Sequence, residues 1–180
     1  IVARRAPEVA GMLPVALAAC AAVVTVSMTV VFALGIFPAE PRAIVPIGGM
    51  MVGNAMAATV VAARRIVAEL SEHRLEVEAR LALGQPWPQA SRPYARRAMR
   101  TAMTSQIEST KAVGLVFLPG AMTGLVLAGV DARQAVAVQL AIMYLILGSV
   151  ATAVVVIGLG LVRRLFTDDH RLRPLPRVAD

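Results

Sequence analysis

Few side chains in this sequence have the type and spacing to do chemistry. His73 and His170 have no ligand-spaced partner, and Cys20 is the only cysteine, which excludes a disulfide within the chain and any cysteine-based zinc site. No phosphate-cradling Gly-x4-Gly-Lys-Ser/Thr loop is present, so no catalytic residue is assigned and any uphill work must draw its energy from another chain. Met50, Met51 and Met56 offer soft thioethers, but filling a core is the reading adopted for them, and a metal ligand set stays unassigned. The remaining polar candidates lie in or beside apolar runs. Asn54 is the only amide well inside its run, and Gln106, Glu108, Ser109 and Lys111 cluster where another run begins. Glu108 and Lys111 are i,i+3 neighbours, placed to pair and so ease the cost of charge near lipid. Two roles fit them, an interfacial anchor or a gate on a cation path.

The elements that must carry these residues follow from composition. The chain has 180 residues, 58% hydrophobic and 16% charged. Soluble domains average about 45–50% apolar and about 25% charged residues. The excess lies in four uncharged runs, Val9–Phe37, Ala43–Ala63, Ala112–Val130 and Gln134–Val162. As helices these measure roughly 43, 31, 28 and 43 Å, against a hydrocarbon core of about 30 Å. The expected fold is therefore all-α, a polytopic transmembrane bundle with four spans, over residues 1–166. A loop at 64–111 divides the spans, and a basic tail, loosely ordered, follows from 167 to 180.

Net charge is +7, with 18 Lys and Arg against 11 Asp and Glu. Only 4% of residues are aromatic, too few for stacking platforms, so nucleic acid is not an expected partner. Sixteen of the 18 basic residues precede the first run, follow the fourth or lie in the loop 64–111; only Arg42 and Arg133 lie on the other side. The positive-inside rule then puts both ends and that loop in the cytoplasm, with the tail arginines near anionic lipid headgroups.

Within the loop, Arg64–Leu83 continues the second span as a charged helix. Ile66, Leu70, Val77 and Leu81 share a face, and Glu76–Arg80 forms an i,i+4 pair. Gly84 with Pro86 and Pro88 supplies a stop, and Tyr94–Lys111 reads as a second helix returning to the membrane. Two spans carry small residues every fourth position: Gly49, Gly53 and Ala57, then Gly120, Gly124 and Ala128. That spacing suits close helix packing in lipid. Pro46 and Pro119 each remove a backbone donor, which marks hinges or kinks.

The stretch Val45-Pro46-Ile47-Gly48-Gly49-Met50-Met51-Val52-Gly53-Asn54-Ala55-Met56 resembles the FetB family of iron-export ABC permeases, which includes the plant aluminium-sensitivity permeases. The resemblance continues through Glu78–Gly84, Gln106–Leu115, Leu118–Gly124 and Ala135–Leu140. It implies a permease subunit of the cell (inner) membrane, exporting iron or another metal ion. ATP would be hydrolysed by a separate FetA-like ABC ATPase, with no cofactor on this chain and a second permease copy as further partner. It also implies more spans before Ile1, making the chain the C-terminal two-thirds of a longer protein. Glu78-Ala79-Arg80-x3-Gly84 is similar to the coupling segment of ABC importers, so Glu78, Ala79 and Gly84 are the expected ATPase-coupling residues. Asn54, Gln106, Glu108 and Lys111 are the expected translocation path. The alternatives are an ABC permease for a nucleotide sugar or other small solute, or an ATP-independent channel or scaffold.

Overall fold

The computed structural model describes residues 12–33, 41–112, 120–167, 169 and 171–173, and six helices run through them. We number these α1 (Met12–Ala33), α2 (Pro41–Glu72), α3 (Arg74–Ala82), α4 (Trp87–Ala112), α5 (Gly120–Leu127) and α6 (Ala132–Leu165). Among the described residues the only strand-like feature is an isolated bridge between Phe166 and Leu172. The chain is thus all-α, as its apolar runs predict.

Among the described residues, three helices are long and apolar enough to cross a membrane, over Pro14–Val31, Ile47–Glu72 and Ala132–Leu165. They match the first, second and fourth expected spans. Residues 113–119 of the expected third span, 112–130, lie outside the described residues. Its described part is the eight-residue α5, closed by Gly129 at φ +83°. There the N–H of Gly129 donates to the Val126 carbonyl and that of Val130 to Leu125, so the last carbonyls of α5 are satisfied. Asp131 caps α6, its carboxylate accepting from the Arg133 N–H at 3.0 Å.

α2 and α6 form the centre of the bundle. α1 packs against both, α4 joins them from the other side, and α5 touches α6. The larger core lies where α2, α4 and α6 meet beyond Arg64. Ile66, Leu70, Val77, Ala98, Ile157 and Leu161 are fully buried there, with Tyr94 nearly so. A smaller cluster of Val23, Val31, Met51, Ala55, Leu145 and Ala153 joins α1, α2 and α6 within the apolar runs.

Local readings of the loop and the tail change in three places. First, the charged helix expected to run unbroken to Leu83 breaks at His73, whose φ of −101° and ψ of 25° separate α2 from α3. Second, α4 starts at Trp87 rather than at Tyr94, because its prolines do little harm. Pro88 lies in the first turn, where N–H groups have no helical partner anyway. Pro93 is exposed, so water can reach the carbonyl its missing N–H would have bonded. Third, the tail expected to be loosely ordered is tied down as far as Arg173. Arg173 N–H donates to the Leu165 carbonyl and Thr167 N–H to that of Arg171, each at 2.9 Å, and Leu172 is buried.

Close backbone approach is made by glycines of α6 that follow no four-residue spacing. A Cβ added at Gly158 would stand 2.5 Å from Met99 Sδ, and one at Gly160 would stand 2.6 Å from Val15 Cγ1. Methionine can swing its thioether aside, whereas valine is stiff at χ1. Alanine also gains about 1 kcal/mol over glycine in a helix interior. Gly160→Ala should therefore lower the melting temperature in detergent, with overpacking of about 1–3 kcal/mol separating α1 from α6. Gly158→Ala should leave it unchanged or raise it; equal melting of the two variants would contradict this packing.

Candidate functional site

The expected coupling residues sit on a short, rigid excursion from the bundle. α2 runs past Arg64 and Arg65 to Glu72, the chain turns at His73, and the nine residues of α3 follow. Val77 anchors α3 in the core. The helix is then stopped as its glycine and prolines predict. Gly84 has φ +84°, a left-handed conformation that a side chain rarely tolerates. Its N–H donates to the Leu81 carbonyl, and the Gln85 N–H to that of Arg80, which completes a two-bond C-terminal cap.

Tyr94 of α4 holds this excursion in place. Its hydroxyl donates to Glu76 Oε2 at 2.6 Å, its ring lies 4.9 Å from that of His73, and the Arg80 guanidinium sits 5.6 Å from its ring centre. Arg97 of α4 lies 3.5 Å from Glu69 of α2, in a second cross-link. The expected Glu76–Arg80 pair is therefore not formed; Glu76 takes the tyrosine and Arg80 the ring face. The ion pair along α3 is Arg74 Nε to Glu78 Oε1 at 2.7 Å.

With Val77 turned inward, the opposite side of α3 is bare. Leu75 and Leu83 are 81% and 83% exposed, and Ala79 between them is exposed as well. At i, i+4 and i+8 these three make one apolar stripe on the outer face, with Glu78 beside it. Sequence reading had singled out Glu78, Ala79 and Gly84 but not the two leucines, although their spacing to Ala79 was the available signal.

Of the expected translocation residues, Glu108 and Lys111 pair, and Asn54 is bonded within its own helix. Asn54 is exposed on α2, and its Nδ2 donates to the Met50 carbonyl of its own helix at 2.8 Å. Gln106 is half-buried on α4, whereas Glu108 and Lys111 are exposed and paired at 3.2 Å. Two residues apart on a helix, Gln106 and Glu108 point to different sides. Among the described residues no hydrogen bond or ion pair joins any of them to Asn54.

The small-residue stripes face outward. Gly49, Gly53 and Ala57 are exposed, as are Gly124 and Ala128, and nothing lies within 4 Å of a Cβ placed at Gly49, Gly53 or Gly124. Pro46 lies inside α2 and Gly120 opens α5. Pro119 lies outside the described residues. Among the described residues, no group of three or more His, Cys, Asp or Glu side chains is arranged to hold a metal ion.

One polar group that sequence reading passed over is Gln139 in α6. It is 5% exposed, and its Oε1 is buried without a hydrogen-bond donor. It is the one amide of that run lying beyond the first turn, which was a signal of the same kind as Asn54.

A sequence model of the uncharacterised protein family UPF0014 matches residues 1–166. The chain is similar to UPF0014 membrane protein STAR2 of Oryza sativa subsp. japonica, at 40% identity over 125 residues, which cover 69% of this chain and 44% of that protein. It is 35% identical over 125 residues to Protein ALUMINUM SENSITIVE 3 of Arabidopsis thaliana, covering 69% of this chain and 46% of the relative. With Probable iron export permease protein FetB of Escherichia coli (strain K12) it shares 29% identity over 147 residues, covering 82% and 57%. The chain thus spans about half the length of the curated relatives it matches. No solved structure matches it.

The Tyr94 clamp has a pH signature. The hydrogen bond from Tyr94 holds the Glu76 carboxyl below its ordinary range, with His73, Arg80 and Arg97 assisting and burial opposing. Burial, then the bond to Glu76, pushes the Tyr94 hydroxyl up. A lowered carboxyl stabilises the fold above its ordinary range, and that contribution is lost as pH falls through the lowered value. Thermal melts from pH 6 to pH 3 should therefore fall more steeply for the wild type than for Tyr94→Phe. Parallel curves would show that the bond does not contribute.

Proposed function

The chain belongs to the UPF0014 family of membrane proteins, and we propose that it works as the membrane-spanning permease subunit of an ABC transporter. ATP is hydrolysed by a separate FetA-like subunit, and two permease copies assemble with two ATPases. The cargo is iron or another metal ion, moved outward across the inner membrane, with both ends of the chain and the loop 64–111 in the cytoplasm. The relative named as a probable iron export permease supports the cargo, and the arginine distribution supports the orientation.

The observation that carries this reading is the bare stripe Leu75–Ala79–Leu83 on a helix held at both ends. Two leucines more than four-fifths exposed are unfavourable in water, and a partner that covers them gains about 25 cal/mol per Å² of apolar surface. Because α3 is clamped by Tyr94 and stopped at Gly84, a push on the stripe moves α2 and α4 rather than bending a loop. Gln139 supplies a polar group inside the bundle, and Glu108–Lys111 a charged pair where α4 approaches the apolar segment.

In the full-length protein, Leu83→Glu should abolish co-purification of the ATPase at normal membrane abundance, since that side chain supports nothing in the fold. Gly84→Val should keep some partner binding but uncouple ATP hydrolysis from transport. Co-purification undiminished in Leu83→Glu would sink the docking role of α3. For the charged pair, Glu108→Gln with normal abundance and lost transport supports a gate, whereas lost abundance supports an anchor.

A further inference from the structure

A groove of about 340 Å³ opens between α4 and α6, away from the α3 stripe. Its floor is Ala95 and Met99 of α4 with Gly158, Leu159 and Val162 of α6, and Trp87 closes one end. The Ser91 hydroxyl donates to the Trp87 carbonyl at 2.7 Å, which leaves the floor apolar. Arg92 and Arg96, one helical turn apart, stand on the rim. Both are exposed, and neither pairs with a carboxylate among the described residues. The groove therefore joins an oily slot to two guanidinium groups that are unpaired among the described residues.

Its depth is fixed by two contacts. Met99 sits against Gly158, and Trp87 stacks on Phe166 with ring centres 5.7 Å apart. The groove thus runs beside the last two turns of α6, where the apolar run ends at Arg163 and Arg164. That is the level of the headgroup boundary for a crossing α6, and Trp87 has the position of an interfacial aromatic. Leu159, 66% exposed, faces outward at this level.

We propose that this groove binds an anionic phospholipid, its acyl chain along Met99, Leu159 and Val162 and its phosphate between Arg92 and Arg96. Guanidinium groups match phosphate oxygens in a planar, two-bond geometry, and their stems can lie along the apolar wall. A zwitterionic lipid fills the slot equally well but brings its own cation to the arginines, so the site selects for net negative charge. The inference rests on α6 crossing the membrane and is independent of cargo, ATPase and direction of transport.

The test uses the full-length protein in nanodiscs of mixed phosphatidylglycerol and phosphatidylcholine, followed by mild delipidation and native mass spectrometry. The wild type should retain phosphatidylglycerol over phosphatidylcholine by about thirtyfold, as two interfacial arginines would give. The double variant Arg92→Gln, Arg96→Gln should lose that preference, while Arg133→Gln on the opposite side keeps it. Should the double variant not fold, Leu159→Trp, which fills the slot from an exposed position, should reduce retention of both lipids. Equal retention of the two lipids by the wild type, or an undiminished preference in the double variant, overturns the proposal. So does cross-linking of Arg96→Cys in native membranes to another protein chain lying in the groove.

Discussion

In hydrocarbon, apolar side chains gain nothing by leaving the solvent, so helices there are held only by close contact and polar links. This constraint shapes the whole chain. Its best-packed region lies beyond Arg64, where α2, α3, α4 and the end of α6 surround Ile66, Leu70, Val77 and Leu161. Water is the alternative surrounding at that end, and each buried aliphatic side chain contributes about 1.5–3 kcal/mol. Within the apolar runs the smaller cluster around Val23 and Met51 has no such drive. The closest approaches of α6 lie nearer its water-side end, Gly160 against Val15 and, two residues earlier, Gly158 against Met99. The helices are gathered at the watery end, and the membrane segments follow.

The fold was legible in proportion to how local its causes are. Uncharged runs of sufficient length identify α1, α2 and α6, because crossing a bilayer demands length and apolarity and little else. Gly84 was legible as a stop because a left-handed residue followed by prolines admits few alternatives. The start of α4 was not, since Pro88 and Pro93 read as breakers, and their tolerance depends on turn position and on exposure. The tail was misread for a related reason. Leu172 is a single apolar residue among arginines, and only its pairing with Phe166 makes it part of the core.

Site residues were harder, because partners distant in sequence decide them. Glu76 had Arg80 at the favourable helical spacing, yet Tyr94, eighteen positions away, took its carboxylate. Gly49 and Gly53 have the spacing of packing glycines, but spacing says nothing about which face meets a neighbour, and theirs meets none within the described residues. Among the described residues, Asn54, conspicuous in the sequence, bonds only its own helix, while Gln139, less conspicuous, is the buried one without a donor. A polar residue in an apolar run marks a point of interest; the tertiary neighbours decide what it does.

α2 has a mechanical consequence. It runs unbroken from Pro41 to Glu72, about 48 Å, through both the apolar segment and the water-side core. Beyond Pro46 the helix continues without a break to Glu69, where Arg97 of α4 takes hold. Such a rod behaves as a lever that pivots near Ile66, the α2 residue packed beside Gly158 of α6. With about 38 Å of helix between Ile66 and Pro41, a rotation of about 5° moves the far end by roughly 3 Å, about the rise of two helical residues. Movement applied to α3 thus arrives at the opposite membrane face as displacement, with no need for any segment along the way to unfold.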